Sequence, residues 1–241
     1  MQRLTRYWMA GLLVVLVAAI AVVLALLVRS DSASVDARIT SPDDLAGFYY
    51  KAVYVNRVKL PPYPPGTETR IELWEQKPGA SISYLFDGDS ADPAFVQLIV
   101  GDELLIYIAE DNQYLESTPS PRQLPAIGHA PDLGPLPVQD IDEFFEALKS
   151  TSLTPYVLQF DGTEAVAGVE ASVYRLYDPD KVEETLTFWI DEGAMFLLAY
   201  EHNASTVEVT LRIVELEYNP DFAPGRFTFE PPPGAEKVEP Q

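Results

Sequence analysis

No cysteine occurs among the 241 residues. Disulfides, thiolate metal sites and cysteine nucleophiles are excluded together by that one absence. There are only two histidines, His129 in a proline-rich stretch and His202 at the end of an expected strand. A catalytic triad or a zinc site needs closer company. Gly-x-Ser-x-Gly, His-Glu-x-x-His and the glycine patterns of phosphate and dinucleotide loops are all missing. No internal repeat is evident. Acids are missing from the first 30 residues: all 37 Asp and Glu come later, against 13 Lys and Arg there. The outer part therefore carries −24 within a whole-chain charge of −21. Such a surface repels nucleic acid, and no nucleic-acid partner is expected.

The sequence does contain one long apolar run. Residues 8–28 are uncharged and almost wholly apolar. At ~1.5 Å per helical residue they span ~30 Å, the hydrocarbon thickness of a bilayer. Arg3 and Arg6 precede the run, so the N-terminus is expected inside and the C-terminus outside. This gives a cytoplasmic stub (1–7), a single-pass signal-anchor helix (8–28), a linker (29–40) and an extracytoplasmic domain (41–241). The alternative is a signal peptide cleaved near Ser34, which is secreted to the same side. The outer ~210 residues are enough for one domain with its own core.

Within that domain, Ser41-Pro42-Asp43-Asp44 reads as a helix start. Leu45, Phe48, Tyr49 and Ala52 then share a helical face. A proline-rich connector, residues 61–65, follows. Strands are expected at 70–76, 81–86, 95–100, 103–108 and 113–115, with Gly101-Asp102 as a hairpin turn. Residues 117–137 hold six prolines and read as a long loop or flap. A second helix is expected over 140–149, with Ile141, Phe144, Phe145 and Leu148 on one face. Five strands follow at 156–160, 165–177, 185–191, 195–202 and 207–218. In the last, Val207, Val209, Leu211 and Ile213 share a face. Val214, Leu216 and Tyr218 continue in the opposite phase, as a β-bulge produces. Long bulged strands in sequential hairpins point to a strongly curved antiparallel sheet, a mainly β (α+β) fold.

Chemistry has little to stand on. Asp87 to Asp92 loosely evoke a calcium loop, but the spacing is wrong for an EF-hand and a strand-to-strand turn is the plainer reading. An enzyme would need a perturbed acid pair such as Asp191 with Glu201, which the sequence merely permits. No metal, no cofactor and no enzymatic activity are expected. Aromatics are more prominent, with three Trp, thirteen Tyr and eleven Phe. Both expected helices carry an aromatic pair, Phe48/Tyr49 and Phe144/Phe145. Such pairs either pack helix on sheet or line an apolar cavity beneath the helices, and the pattern is the same for both.

Five stretches, in order, resemble landmarks of the periplasmic lipoprotein-carrier superfamily (LolA/LolB-like, with RseB N-terminal-type and LppX/LprG-type domains). They are RIELWEQKPG (70–79), GDELLIYIAEDNQY (101–114), VAGVEASVYRL (166–176), TFWID (187–191) and FTFEPPPGAE (227–236). The resemblance covers residues 40–238. It implies an unclosed antiparallel β-barrel with short helices across its mouth, holding acyl chains of lipids or lipoproteins. On that reading Leu45, Phe48, Tyr49, Phe144, Phe145 and Leu148 form the inner face of a lid. Trp74, Tyr84, Phe188 and Trp189 are candidate cavity walls. No counterpart of the arginine with which carriers grip a headgroup or lock the lid is found; Arg70 and Arg175 are candidates by position alone. The chain departs from the carriers in having an apparent membrane helix. The function expected is a membrane-anchored lipid- or acyl-binding domain of the cell envelope; the alternative is an RseB-like regulatory domain that binds an envelope protein.

Overall fold

Apolar side chains at every second position make Gly47–Val58 a strand, β1, in the computed structural model of the protein. The structure describes residues 39–58, 68–118, 133–136, 138, 140–151, 156–205 and 207–239. The expected transmembrane helix, the 61–65 connector, most of the 117–137 flap and His129 lie outside them. Among the described residues no helix is long and apolar enough to cross a membrane.

The helix expected from Ser41 onward is a correction. Ser41 does cap a turn, accepting from the Asp43 amide at 3.3 Å, but the turn is a 3₁₀ segment of three residues, Pro42–Asp44. After it, Phe48, Tyr50, Ala52 and Tyr54 alternate into the core, all below a tenth exposed. Leu45, Phe48, Tyr49 and Ala52 fit a helical period by coincidence. The β-branched and aromatic content of the segment favours the two-residue period.

The remaining strands are β2 (Glu68–Gln76), β3 (Ala80–Asp87), β4 (Phe95–Val100), β5 (Glu103–Ile108), β6 (Gln113–Ser117) and β7 (Gly134–Pro135). Helix α1 (Ile141–Thr151) precedes β8 (Val157–Val166), β9 (Val169–Asp178), β10 (Lys181–Asp191), β11 (Phe196–Asn203), β12 (Val207–Tyr218) and β13 (Glu236–Val238). All but β7 form one unclosed sheet path, β13-β6-β5-β4-β3-β2-β1-β12-β11-β10-β9-β8, antiparallel except where β13 joins β6. Gly101, at φ 59, supplies the positive φ that the β4–β5 turn demands. Among the described residues one short α-helix covers the sheet, where two were expected.

The expected bulge in β12 is present. Lys51 pairs with Glu215 and Ala52 with Ile213, so Val214 is the extra residue, and it is exposed. β11 keeps β12 as partner only over Ala199–Asn203; at Phe196 and Leu197 it pairs with β7 instead. A second bulge was not expected. The strands expected at 156–160 and 165–177 leave Asp161-Gly162 between them, yet β8 runs through it, with Gly162 at φ 107 and a register shift beside it. An isolated glycine in a strand is the signature of a bulge. The β8–β9 turn lies instead at Ala167-Gly168.

The sheet has two cores. On its inner face α1 is capped by Asp140, whose carboxylate accepts from the Glu143 amide at 2.8 Å. The helix presses Phe144 and Phe145 onto Phe188 and Tyr174, with ring centroids 5.0–5.7 Å apart. Phe48, Tyr50, Leu198, Leu211 and Ile213 complete that core. On the outer face Ile82, Val96 and Tyr107 are sealed by Phe227, Phe229 and Ala235 from the C-terminal segment.

The curl of the β8–β9 hairpin is fastened on the outer side. Glu164 accepts from the Trp189 indole at 2.8 Å and from the Arg212 guanidinium at 2.7 Å. These hydrogen bonds hold the Glu164 carboxyl below the usual carboxylate range. Its folded pKa is thus below its unfolded one. The contribution is complete above the unfolded value, ~4.3, and disappears as pH falls through the folded value. The pair is half exposed, so Glu164→Gln is expected to lower stability by less than ~1 kcal/mol at neutral pH. Denaturant titrations of both proteins at pH 7 and near pH 3 check this; a difference that persists at acid pH would contradict it.

Candidate functional site

Residues directly opposite one another on neighbouring strands share a face, so the register traces the inner surface row by row. One row runs Leu216, Tyr50, Leu73, Ser83, Gln97, Ile106 and Leu115 across seven strands. A second runs Ala52, Ile71, Leu85, Phe95 and Ile108. A third brings Ile99 beside Leu104. The β1 and β2 ends of these rows belong to the core under α1. The β4–β6 ends do not. Phe95, Ile99, Leu104, Ile106 and Leu115 are half-buried, Ile108 is 42% exposed, and none joins either apolar cluster of the described residues.

Two polar side chains stand at the boundary. Ser83 is 4% exposed and Gln97 5%. Ser83 Oγ and Gln97 Oε1 are buried and have no hydrogen-bond partner among the described residues. Leaving such atoms unpaired costs ~1–3 kcal/mol each, so a folded protein rarely tolerates them without purpose. A cleft of about 550 Å³ lies at the sheet margin, lined by Leu98, Val100, Leu105 and Glu116 of the outer face together with Leu104, Ser117 and Lys237. Its volume is that of a site for an organic ligand.

The expected site residues divide. Phe144, Phe145 and Leu148 do face inward from α1, but they pack on the core. Leu45 and Phe48 are core residues near the start of β1, not part of a helical lid. Tyr49 is on the outer face, stacked on Trp74 at 4.8 Å. Trp74 and Tyr84 also sit on the outer face beneath the C-terminal segment, with Arg226 4.8 Å over the Trp74 ring, so they do not wall an inner cavity. Phe188 lies under α1 and is filled against. Trp189 points the other way, to Glu164.

Neither candidate arginine reaches the inner face. Arg70 donates to the carbonyls of Gly88 and Ser90 and lies over Phe86, tying down the β3–β4 turn. Arg175 pairs with Asp161 at 2.6 Å. Asp191 and Glu201 are not brought together. Glu201 opposes Thr187, four residues or ~13 Å along β10 from Asp191. Asp191 instead accepts from Tyr218 at 2.9 Å and from two backbone amides. Burial and that carboxylate push the Tyr218 hydroxyl far above its ordinary pKa. Among the described residues no three His, Asp or Glu side chains are placed to hold a metal ion.

The inner-face residues of β4–β6 were missed because both faces of these strands are apolar. One signal was available: Gln97 is the lone polar residue in Phe-Val-Gln-Leu-Ile-Val.

No protein-family model matches the chain, and no curated protein matches it. Solved structures do. An uncharacterised conserved protein of Thermus thermophilus shares 12% identity at a TM-score of 0.47, over 84% of this chain and 95% of that one. The MucA/MucB complex of Pseudomonas aeruginosa gives 14% identity and 0.43, over 80% of this chain and 59% of that one. This chain thus spans only about three-fifths of MucB-type chains. A LolA-superfamily protein, NE2245 of Nitrosomonas europaea, gives 11% identity and 0.35, over 77% and 91%. The solved structures to which this chain is similar thus include a member of the superfamily that its sequence motifs resemble.

Proposed function

We propose that residues 41–241 are an extracytoplasmic domain, held at the cell membrane by the helix expected over residues 8–28, that binds acyl chains of a lipid or lipoprotein on the inner face of β3–β6. The mechanism is burial, not bond chemistry. Each methylene removed from water contributes ~0.8 kcal/mol, so a chain of a dozen carbons supplies several kcal/mol without a reactive group. One observation carries the reading. The apolar residues of three adjacent strands stand outside both cores, on the face where Leu73 and Tyr50 are buried and Leu85 is partly buried. Six such residues on one face make a lining, whereas isolated exposed apolar residues are ordinary.

The test is native mass spectrometry with lipid extraction on the purified full chain. A co-purifying acyl species near one-to-one is expected. Ile106→Asp with Leu115→Asp is expected to abolish its retention while leaving the thermal transition largely in place, because both positions lie outside the packed clusters. Unchanged retention in that double variant would overturn the assignment. Phe48 and Phe144 are unsuitable probes, since a charge at either unfolds the core.

A second reading, a regulatory domain that binds an envelope protein, has one observation in its favour. Among the described residues β8 is one of the two ends of the sheet path, and it exposes Phe160 (57%) and Val157 (41%). Edges of this kind accept an added strand. Crosslinking in intact envelopes through position 160 distinguishes it.

A further inference from the structure

We infer that Gln97 and Ser83 select an acyl chain carrying a secondary amide, in preference to the same chain carrying an ester. The inference rests on the acyl-binding reading above and adds the chemical class of the ligand.

The two side chains oppose each other across β3 and β4, midway along the row from Leu73 to Ile106. On one side of them the inner face is packed; on the other it is the apolar lining. A fully hydrocarbon ligand would cover the lining and leave Ser83 Oγ and Gln97 Oε1 without partners, as they are in the protein alone. The ligand that repairs the defect has a polar group part-way along an apolar body.

The geometry of a carboxamide narrows that group. Gln97 presents an acceptor and a donor side by side. A secondary amide presents the complementary donor and acceptor, and it does so whichever way the Gln97 amide is turned. An ester offers acceptors only, so Gln97 Oε1 stays unpaired and the desolvation cost remains. A carboxylate also lacks a donor and brings a charge into a pocket with no basic side chain in the row. Ser83, whose hydroxyl rotates to donate or accept, completes the pair without narrowing the choice. Discrimination of this type is large because the wrong ligand strands a buried polar group.

A secondary-amide acyl chain occurs both in N-acylated lipids and in N-acylated polypeptides. The experiment therefore uses three probes on the purified full chain: N-palmitoylethanolamine, its ester isostere ethylene glycol monopalmitate, and an N-palmitoyl dipeptide. The first two differ by one N–H. Competition against a fluorescent fatty acid is expected to show the amide bound about tenfold more tightly than the ester. In Gln97→Met, a volume-conserving change, the ratio is expected to fall to about one. Gln97→Leu, of similar size, is the second variant and is expected to bring the ratio to about one if Gln97→Met fails to fold. Tighter binding of the palmitoyl dipeptide assigns the source to an acylated polypeptide, and the reverse order to a lipid; either supports the amide assignment. Equal affinity of the wild type for amide and ester overturns the inference and leaves the acyl-binding reading intact. A ratio that survives in Gln97→Met overturns the role of Gln97. Binding of none of the probes overturns both readings.

Discussion

Phe188→Ala is expected to lower the stability of the domain by ~3–5 kcal/mol, the largest effect of any single truncation in it. Phe188 is 1% exposed. Its ring meets Phe144 at 5.6 Å, Phe145 at 5.7 Å and Tyr200 at 5.3 Å. Removing it opens a void that the rigid β9–β11 strands cannot close. The loss falls on α1 in particular. A helix of eleven residues is marginal in water by itself, so its order depends on the aromatic contacts beneath it. Phe188→Leu keeps most of the volume and is expected to cost much less, about 1–2 kcal/mol. Denaturant midpoints measure the global loss, and amide hydrogen exchange in α1 measures the local one. A Phe188→Ala midpoint equivalent to under ~1 kcal/mol would show that the helix, not the ring cluster, organises this core.

Asn219→Ala is expected to cost ~2–3 kcal/mol, from a residue exposed on the surface. Its side-chain oxygen accepts from the amides of Ala46 (2.7 Å) and Gly47 (3.1 Å), and its amide nitrogen donates to the Asp44 carbonyl (2.9 Å). Its own backbone amide donates to Gly47 at 2.8 Å. Asn219 is also at φ 49, where asparagine is tolerated and alanine is strained. It thus clasps the start of β1 to the end of β12. Position 47 is closed to a side chain for a separate reason: a Cβ on Gly47 would stand 2.6 Å from the Glu75 carbonyl oxygen of β2. Asn219→Gly separates the two contributions: it relieves the backbone and removes only the side-chain bonds. It is expected to fall between wild type and Asn219→Ala in equilibrium unfolding. If both variants lie within a few tenths of a kcal/mol of wild type, the clasp contributes nothing.

Much of the fold was legible because its punctuation is local. Gly101-Asp102 fixes the β4–β5 hairpin, and the phase slip after Ile213 reveals the bulge at Val214 before any pairing is known. What failed was arbitration between periods. Leu45, Phe48, Tyr49 and Ala52 satisfy a helix as well as Phe48, Tyr50, Ala52 and Tyr54 satisfy a strand. A genuine capping serine beside them tipped the reading, although the cap ends in a single 3₁₀ turn. Gly162 shows the same ambiguity between a turn and a bulge. The site was less legible. Alternation tells which residues of β2 and β3 share a face, but not what covers it. Trp74 and Tyr84 lie under Phe227 and Phe229, from a segment some 150 residues later. That cover is a tertiary fact without a local signal.

The position of β1 has a consequence in time. It lies in the middle of the sheet, between β2 and β12, and its register with β12 runs from Phe48 with Tyr218 to Val58 with Val207. One of the first strands to be synthesised therefore waits for one of the last. Until residue 218 is available, β1 has one ladder unmade, and the two halves of the sheet have no seam. Pairing so distant in sequence is slow to form. A chain built this way leaves its sheet open until residues 207–218 have been made.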